Sequence, residues 1–442
     1  MDADRRGRPG RVAAAIAALV VVAAALGAAV GRATAPQDGA AAVPPSTSVP
    51  SAPTTSIPPS SPGTSPAADA AAPAADPSWA VGALLAERGR AVVGRDRAAW
   101  VRTAAPGSPA AAAARWARLA AVRFARWDYD VREVAPAAAA AGGDRRYAVR
   151  ARLATRLAEA DTASAVTDVT LDVVEREGTW TVLAERPAGE RRAPWDVGEV
   201  AVVEGVRTLV VGVGGVGRAE LGAVAALADE AVAGVRGIWG PGWDHGAGTR
   251  AVIVVPATTA DLGALLGRDA DRLDQIAAVA TVEGAGTGTG AARVWVHRSV
   301  MDSLTPLGRL IVLRHELLHV AAGAAATSAT PLWLEEGLAE YVGYRGSGVL
   351  VRVVAGDVLP ALGSGRLRAL PGDEDFDAGG RSLAAAYERA WLACRYVASR
   401  WGEKALLAWY RAVAAGGPGE GEANHDAALA SVLGTSRVAW QR

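Results

Sequence analysis

Cysteine is almost absent from this sequence, which has one, Cys394, among 442 residues. A single cysteine cannot form an internal disulfide, and it excludes zinc ribbons, cysteine-rich fingers and CxxC redox motifs. Any metal site must therefore use histidine and carboxylate side chains. Histidine is also scarce, with five in the chain, so a pair of histidines at ligand spacing is a specific signal.

Net charge is lacking as well. Basic and acidic residues number 46 each, which gives a formal net charge of zero. The composition shows neither the positive surplus of a nucleic-acid-binding protein nor an acidic tail. We therefore expect no nucleic-acid partner. At roughly 150 residues per domain, the length leaves room for two or three domains with a sizeable core.

Charged residues are missing from one long apolar segment near the N-terminus. Residues 12–31 are apolar enough to cross a bilayer. Four arginines precede them: Arg5, Arg6, Arg8 and Arg11. The positive-inside rule predicts a cytoplasmic basic segment at 1–11 and a single-pass membrane anchor at 12–31, with the rest of the chain outside. The alternative is a signal peptide cleaved at Ala33-Thr34-Ala35, which would give a secreted protein.

Bulky apolar residues are scarce between the anchor and the folded part. Residues 36–77 are rich in proline, serine and threonine and hold eleven of the 24 prolines. Such a segment cannot bury a core and is typical of a disordered, semi-extended spacer. We therefore expect a stalk that holds the folded part away from the membrane.

Residues 78–190 are expected to form a small α+β domain. Apolar periodicity predicts helices over Trp79–Val101 and Ala110–Arg126. Alternation of polar and apolar residues then predicts four strands: Trp127–Val134, Arg146–Leu157, Ala165–Glu175 and Thr179–Leu183. This order of elements resembles the cone-shaped fold of the nuclear transport factor 2-like superfamily. The region holds no catalytic constellation, so a binding or regulatory module and a packing domain are both open.

Residues 195–442 are expected to form a second domain. They begin with a predicted strand, helix and strand at 207–213, 220–238 and 251–255. Between the first two lies Gly212-Val213-Gly214-Gly215-Val216-Gly217, which fits the GxGxxG pattern of dinucleotide sites. Such a site also needs an acidic residue at the end of the next strand. That strand ends Val254-Val255-Pro256, so we expect a plain glycine-rich turn and no nucleotide.

The most specific signal is the HExxH motif His315-Glu316-Leu317-Leu318-His319. On a helix the two histidines lie one turn apart on the same face and can bind one zinc ion. Glu316, one position further on, can reach a zinc-bound water rather than the metal. Thr305, Pro306 and Gly323 predict that this helix covers residues 306–322.

A second helix is predicted from Thr330-Pro331, and residues 332–341 read L-W-L-E-E-G-L-A-E-Y. This pattern resembles the gluzincin metallopeptidases, in particular bacterial peptidase MA-like domains with the helix W-L-x-E-G-x-A-x-Y. The resemblance implies a zincin-like α+β fold, with Glu336 as the third zinc ligand and Glu340 as the carboxylate that orients His315. Sixteen residues separate His319 from Glu336, where the aminopeptidase-N pattern has 18.

The resemblance extends to a third helix. The residues after HExxH also exclude one related class, the metzincins. Residues 387–397 resemble the Y-E-K-G-x-x-x-x-x-Y-L helix of aminopeptidase-N-like enzymes, which implies that Tyr387 stabilises the transition state. Packing of Tyr387 on an apolar helix face is the alternative, with Tyr341 and Tyr344 as substitute donors. Metzincins need histidine at the position of Ala325, so that class is excluded.

Two weaker signals are expected to be structural. Asp373, Asp375 and Asp377 alternate as in a calcium loop, but the glycine and the bidentate glutamate of such a loop are missing. The remaining three histidines have no partner at ligand spacing: His245, His297 and His425.

These observations predict a zinc-dependent metallopeptidase that hydrolyses peptide or protein substrates outside the cytoplasmic membrane. The cofactor would be Zn²⁺. The alternative is a cell-surface binding or scaffold protein that holds zinc without turnover. Because HExxH plus one glutamate gives three protein ligands and leaves a position open, the pattern favours catalysis over a structural site.

Overall fold

A computed structural model describes most of the chain beyond the first 75 residues. The described ranges are 76–106, 108–138, 144–240, 250–274, 276–284, 290–323, 330–365, 369–376, 383–416 and 421–440. The predicted anchor at 12–31, the stalk up to residue 75, and His245 lie outside them. Among the described residues, no helix combines the length and apolar character needed to cross a membrane.

The described chain is a mixed α+β structure with two sheets. Its first part has three helices followed by a four-stranded antiparallel meander in the order β1-β2-β3-β4. The helices are α1 (Pro77–Val93), α2 (Arg97–Arg102) and α3 (Pro109–Leu119). The strands are β1 (Phe124–Ala137), β2 (Arg145–Leu157), β3 (Ala165–Arg176) and β4 (Thr179–Pro187).

Two helices predicted in this part are longer than the helices in the structure. A single helix over Trp79–Val101 is wrong, because Arg95 adopts a left-handed backbone conformation with φ of 57°. Asp96 then starts a new helix by accepting a hydrogen bond from the Ala99 amide. The helix predicted over Ala110–Arg126 ends at Leu119, since the backbone from Phe124 onward pairs with β2.

The second part is built on a five-stranded sheet in the order β5-β6-β7-β9-β8. The three central strands are parallel to one another, and β5 and β8 run antiparallel at the two edges. The strands are β5 (Val200–Glu204), β6 (Thr208–Val213), β7 (Ala251–Pro256), β8 (Ala278–Glu283) and β9 (Ala291–Val296).

Helices connect and follow these strands. The first five are α4 (Pro194–Val197), α5 (Arg218–Trp239), α6 (Thr259–Leu266), α7 (Arg298–Ser303) and α8 (Pro306–Ala322). The rest are α9 (Leu332–Tyr344), α10 (Val351–Val354), α11 (Leu359–Gly363), α12 (Leu383–Trp401), α13 (Glu403–Ala414), α14 (Gly421–Leu433) and α15 (Arg437–Trp440).

The central strands of the five-stranded sheet are buried on both faces. Val210, Ile253 and Val294 belong to a core shared with the helices that follow the sheet. Their neighbours Val211 and Val254 belong to a second core, shared with α1–α3 and the first sheet. Strands covered on both sides read as continuous apolar runs, which explains the sequences TLVVGV and AVIVVP. The sheet therefore separates two environments, one on each face.

The glycine-rich turn after β6 has Gly214 and Gly215 at positive φ. A Cβ added to Gly214 would lie 3.0 Å from a carboxylate oxygen of Asp261, the residue that completes the capping box of α6. A negative charge packed against this turn opposes the binding of a phosphate group.

Candidate metal centre

The helix α8 carries the HExxH residues and has the predicted bounds, 306–322. The Thr305 hydroxyl accepts a hydrogen bond from the Gly308 amide at 3.1 Å, Pro306 occupies the first turn, and Gly323 is the C-cap. His315 and Glu316 are buried. The motif thus lies on one helix with its chemical groups turned inward.

The helix α9 begins one residue later than its predicted start. Pro331 stands at the N-cap, and its carbonyl accepts hydrogen bonds from the Leu334 and Glu335 amides. Thr330 makes no side-chain cap, and its buried hydroxyl has no hydrogen-bond partner among the described residues. This shift leaves Glu336 in the second turn, fully buried.

Two glycines let α9 approach its neighbours closely. A Cβ on Gly343 would lie 3.1 Å from the Ile311 carbonyl oxygen on α8. A Cβ on Gly337 would lie 2.5 Å from the Ala390 carbonyl oxygen on α12, a separation at which the backbone must move. The helix α9 is therefore held between α8 and α12, with Glu336 between the two histidines and the helix of Tyr387.

Three potential ligand atoms converge at the centre. The Nε2 atoms of His315 and His319 are 3.1 Å apart. The Oε2 atom of Glu336 lies 3.3 Å from the first and 3.5 Å from the second. Zinc bonds of about 2.0–2.1 Å at tetrahedral angles place ligand atoms about 3.3–3.4 Å apart. The three separations therefore fit three ligands of a single tetrahedral metal ion. His315, His319 and Glu336 form a group that could hold such an ion.

The carboxylate of Glu336 is short of hydrogen-bond donors. Both of its oxygens are buried and have no partner with hydrogen-bond geometry among the described residues. Burial by itself would raise the pKa of Glu336, but the nearby imidazoles of His319 and His315 override it and lower that pKa to about 2. A buried anion without donors is satisfied by a cation placed between it and the imidazoles.

The same charges act on the histidines. Burial lowers the pKa of His315, but the carboxylates of Glu336 and Glu340 outweigh burial and raise it. For His319, burial is outweighed in the same way by Glu336, and its pKa is raised. The site therefore attracts positive charge, which either protons or a metal ion can supply.

Glu340 lies where it can orient the first histidine. One of its oxygens is 3.2 Å from Nδ1 of His315, and both side chains are buried. A carboxylate behind a metal-binding imidazole fixes the ring and makes its outer nitrogen a better ligand. Glu335 lies 3.9 Å from Nδ1 of His319 at the more exposed side of the centre.

Glu316 lies close to the three ligand residues, and one of its carboxylate oxygens contacts the sheet. Its Oε2 atom accepts a 2.6 Å hydrogen bond from the backbone amide of Ala280 on β8. Burial raises the pKa of Glu316 to about 6, with His315 and His319 acting in the opposite direction. A carboxyl group that titrates near neutrality can both take up and release a proton.

Of the three candidate tyrosines, Tyr387 is the one whose pKa responds to both Glu336 and Glu316. Burial and these negative charges raise the pKa of its hydroxyl, so the hydroxyl stays protonated. The Glu336 carboxylate also raises that pKa as a hydrogen-bond acceptor for the hydroxyl, although the contact falls outside strict hydrogen-bond geometry. Tyr341 instead donates to Glu403 at 2.9 Å, and Tyr344 packs against the ring of Trp391.

Two further contacts support the part of the centre around Tyr387. Neither was predicted from the sequence. The ring of Phe376 meets that of Tyr387 edge-on at 5.1 Å. Asp375, in the same short 3-10 turn, forms an ion pair with Arg389 of α12 at 2.8 Å. The acidic segment that resembled a calcium loop is thus joined by an ion pair to α12, the helix that carries Tyr387. Asp377 of that segment lies outside the described residues.

The other described histidines are held by structural contacts. Nδ1 of His297 lies 3.0 Å from the carbonyl oxygens of Leu273 and Ile276, and its Nε2 lies 2.8 Å from the Thr259 hydroxyl. His425 is buried in an aromatic cluster with Trp333, Trp409 and Trp440. Cys394 is a buried free thiol.

The approach of β8 to Glu316 had no signal in the sequence. Residues 278–283 were not predicted as a strand, and nothing in the sequence relates Ala280 to a helix 36 residues later. The other residues of the centre lie on helices whose periodicity could be read from the sequence. No protein-family model, curated protein or solved structure matches this chain, so its function must be argued from the site itself.

Proposed function

We propose that this chain is a gluzincin-type zinc metallopeptidase, similar to the peptidase MA-like domains, that hydrolyses peptide bonds outside the cytoplasmic membrane. One observation carries the proposal. The atoms of His315, His319 and Glu336 are mutually 3.1–3.5 Å apart, on helices whose sequences are HELLH and WLEEG. Three protein ligands leave a fourth position for water, as in catalytic zinc sites.

The proposed cofactor supplies Lewis acidity: bound zinc would lower the pKa of a water molecule to about 7. Glu316 lies beside the ligands without joining them, and its pKa of about 6 suits a general base. Its carboxylate would take a proton from the water and later return it to the leaving amine.

Two neighbouring residues would stabilise the transition state and orient a metal ligand. Tyr387 would donate its protonated hydroxyl to the oxygen that becomes negative in the transition state, a contribution of the kind made by oxyanion donors. Glu340 would accept a hydrogen bond from Nδ1 of His315 and keep the other ring nitrogen free for the metal.

The edge strand β8 supports a peptide as substrate. It pairs with β9 on one side, and its Ala280 amide points the other way, toward Glu316. Apart from the Ala280 amide, which Glu316 binds, the backbone groups on the outer side of an edge strand can pair with an extended peptide. A peptide bound there would run past the general base.

We extend the proposal to the rest of the chain. Residues 12–31 would anchor the protein as a single-pass membrane protein or act as a signal peptide. The part from 195 to 442 would be the zincin-like domain. The part from 78 to 190, with helices beside an antiparallel sheet, would be the cone-shaped domain.

The test measures zinc content and peptide cleavage in the purified full chain, using casein and a peptide library. Zinc is expected at one per chain in the wild type and in Glu316→Gln, and absent in His319→Ala. Cleavage is expected in the wild type alone. Glu220→Gln, a surface carboxylate paired with Arg298, is the matched control and should keep both properties.

Two results would redirect the proposal. Absence of zinc from folded wild-type protein after metal reconstitution would refute the metal centre. Zinc without cleavage of any substrate would favour the alternative, a cell-surface binding or scaffold protein.

A further inference from the structure

A second cavity lies on the opposite face of the five-stranded sheet from α8. It has a volume of about 910 Å³ and is bounded by β2 and β3, by the segment after β4, and by β6, β7 and β9. Ligand sites for small molecules have volumes of about 300–1,000 Å³. The cavity is therefore large enough for an organic molecule, and the sheet separates it from the proposed catalytic centre.

The lining of this cavity is rich in positive charge. Eight arginines and four acidic residues contribute to it. Six of the arginines lie within 4.0 Å of a carboxylate. Arg293, for example, pairs with Asp161 and Glu283, and Arg191 shares Glu283. The other two, Arg192 and Arg268, have no acidic partner among the described residues.

The uncompensated charge lies on one wall. Arg192 donates to the backbone carbonyls of Gly189 and Arg191, whereas the guanidinium of Arg268 has no acceptor among the described residues. Burial and the positive charges of Arg191 and Arg272 lower the pKa of Arg268. Like charges held together in a partly buried wall repel one another unless an anion lies between them.

The backbone of this wall is rigid. Gly267, with φ of 64°, ends α6, and the Arg268 amide donates to the Gly263 carbonyl at 2.9 Å. The Arg192 amide donates to the Ala264 carbonyl at 2.9 Å. The segment after β4 is thereby attached to the end of α6, so the backbone positions of Arg192 and Arg268 are fixed relative to each other.

The remaining lining is apolar and aromatic. Trp195, Leu153 and Leu266 line the cavity, and each keeps a small exposed area. The chemistry of the lining therefore suits a molecule with an apolar body and a negatively charged group.

We propose that this cavity binds an amphipathic organic anion, with its carboxylate or equivalent acidic group against Arg268 and Arg191 and its apolar body against the apolar part of the lining. The site is distinct from the metal centre and does not depend on zinc. It lies where β2 and β3 face the five-stranded sheet, so both parts of the chain contribute to it.

Isothermal titration calorimetry on the purified full chain tests this, with 4-phenylbutyrate as probe and the neutral 4-phenylbutanol for comparison. The acid should bind with one-to-one saturation, and the alcohol at least about tenfold more weakly. Arg268→Glu should weaken binding of the acid at least about tenfold, and Arg268→Gln by less. Arg97→Glu, an exposed position on α2 outside the lining, is the control and should leave binding unchanged.

Thermal unfolding of each variant separates a lost site from a lost fold. If Arg268→Glu does not fold, Ala188→Trp tests the site instead, because it adds bulk to the lining from an exposed position and should abolish binding. The proposal is overturned if the acid gives no saturable heat. Equal binding of acid and alcohol, or unchanged binding of the acid by folded Arg268→Glu, also overturns it.

Discussion

Glu340 provides the sharpest test of how the proposed metal centre is supported. Its carboxylate lies 3.2 Å from Nδ1 of His315 and is buried with it. Partners of this kind change metal affinity by about 10–100-fold when removed. Glu340→Ala removes the acceptor and the charge, so zinc affinity should fall about 100-fold, or roughly 2.7 kcal/mol. Glu340→Gln keeps an acceptor oxygen and should lose about tenfold.

Glu335 is the matched control on the same helix. It lies 3.9 Å from Nδ1 of His319, beyond hydrogen-bond distance, with its side chain 19% exposed. Glu335→Gln should change zinc affinity by less than about threefold, since long and partly exposed charge pairs contribute little. Titration against a chromogenic zinc chelator measures all three variants. An effect of Glu335→Gln equal to that of Glu340→Ala would refute the assigned role of Glu340.

Three further predictions concern other parts of the molecule. Tyr387→Phe should lower kcat about 10²–10³-fold with zinc content unchanged, while Tyr341→Phe should have little effect; steady-state kinetics of both variants decide this. Gly337→Ala should destabilise the fold by about 1–3 kcal/mol because its Cβ meets a backbone carbonyl of α12. By contrast, Gly222→Ala, in open space on α5, should stabilise it by about 0.5–1 kcal/mol in urea unfolding. Burial opposes ionisation of Glu185, but its two arginine partners lower its pKa below 4.5, so its stabilising contribution is present above that pH and lost as the pH falls through the depressed value. Acid should therefore destabilise the wild type more than Glu185→Gln in unfolding measured from pH 7 to 3, and parallel curves would contradict the prediction.

The sequence carried most of the local information on the candidate site. Helix caps at Thr305 and Gly323 set the bounds of α8, and a period of one turn put His315 and His319 on one face. These are local rules, so they could be read without a fold. The approach of Ala280 to Glu316 depends on how a strand and a helix pack, and no local pattern specifies that contact.

The same distinction explains the fold. Three of the four strands before residue 190 were predicted within one residue at their starts, because a half-buried strand alternates visibly. The predicted helix at 110–126 failed at its end, since the apolar residues of α3 continue without interruption into β1. Strands β5, β8 and β9 were missed, because each has only five or six residues and no clear alternation of polar and apolar residues.

The glycines of α9 bear on how sequences with this centre can vary. Gly343 fits against α8 and Gly337 against α12, so the placement of Glu336 relative to the histidines is set by contacts between helix backbones. The number of residues joining α8 to α9 does not set it. The interval of sixteen residues between His319 and Glu336 could therefore change without altering this geometry, whereas a side chain at Gly337 would force the backbones of α9 and α12 apart. A search for distant relatives should let this interval vary and require the two glycines.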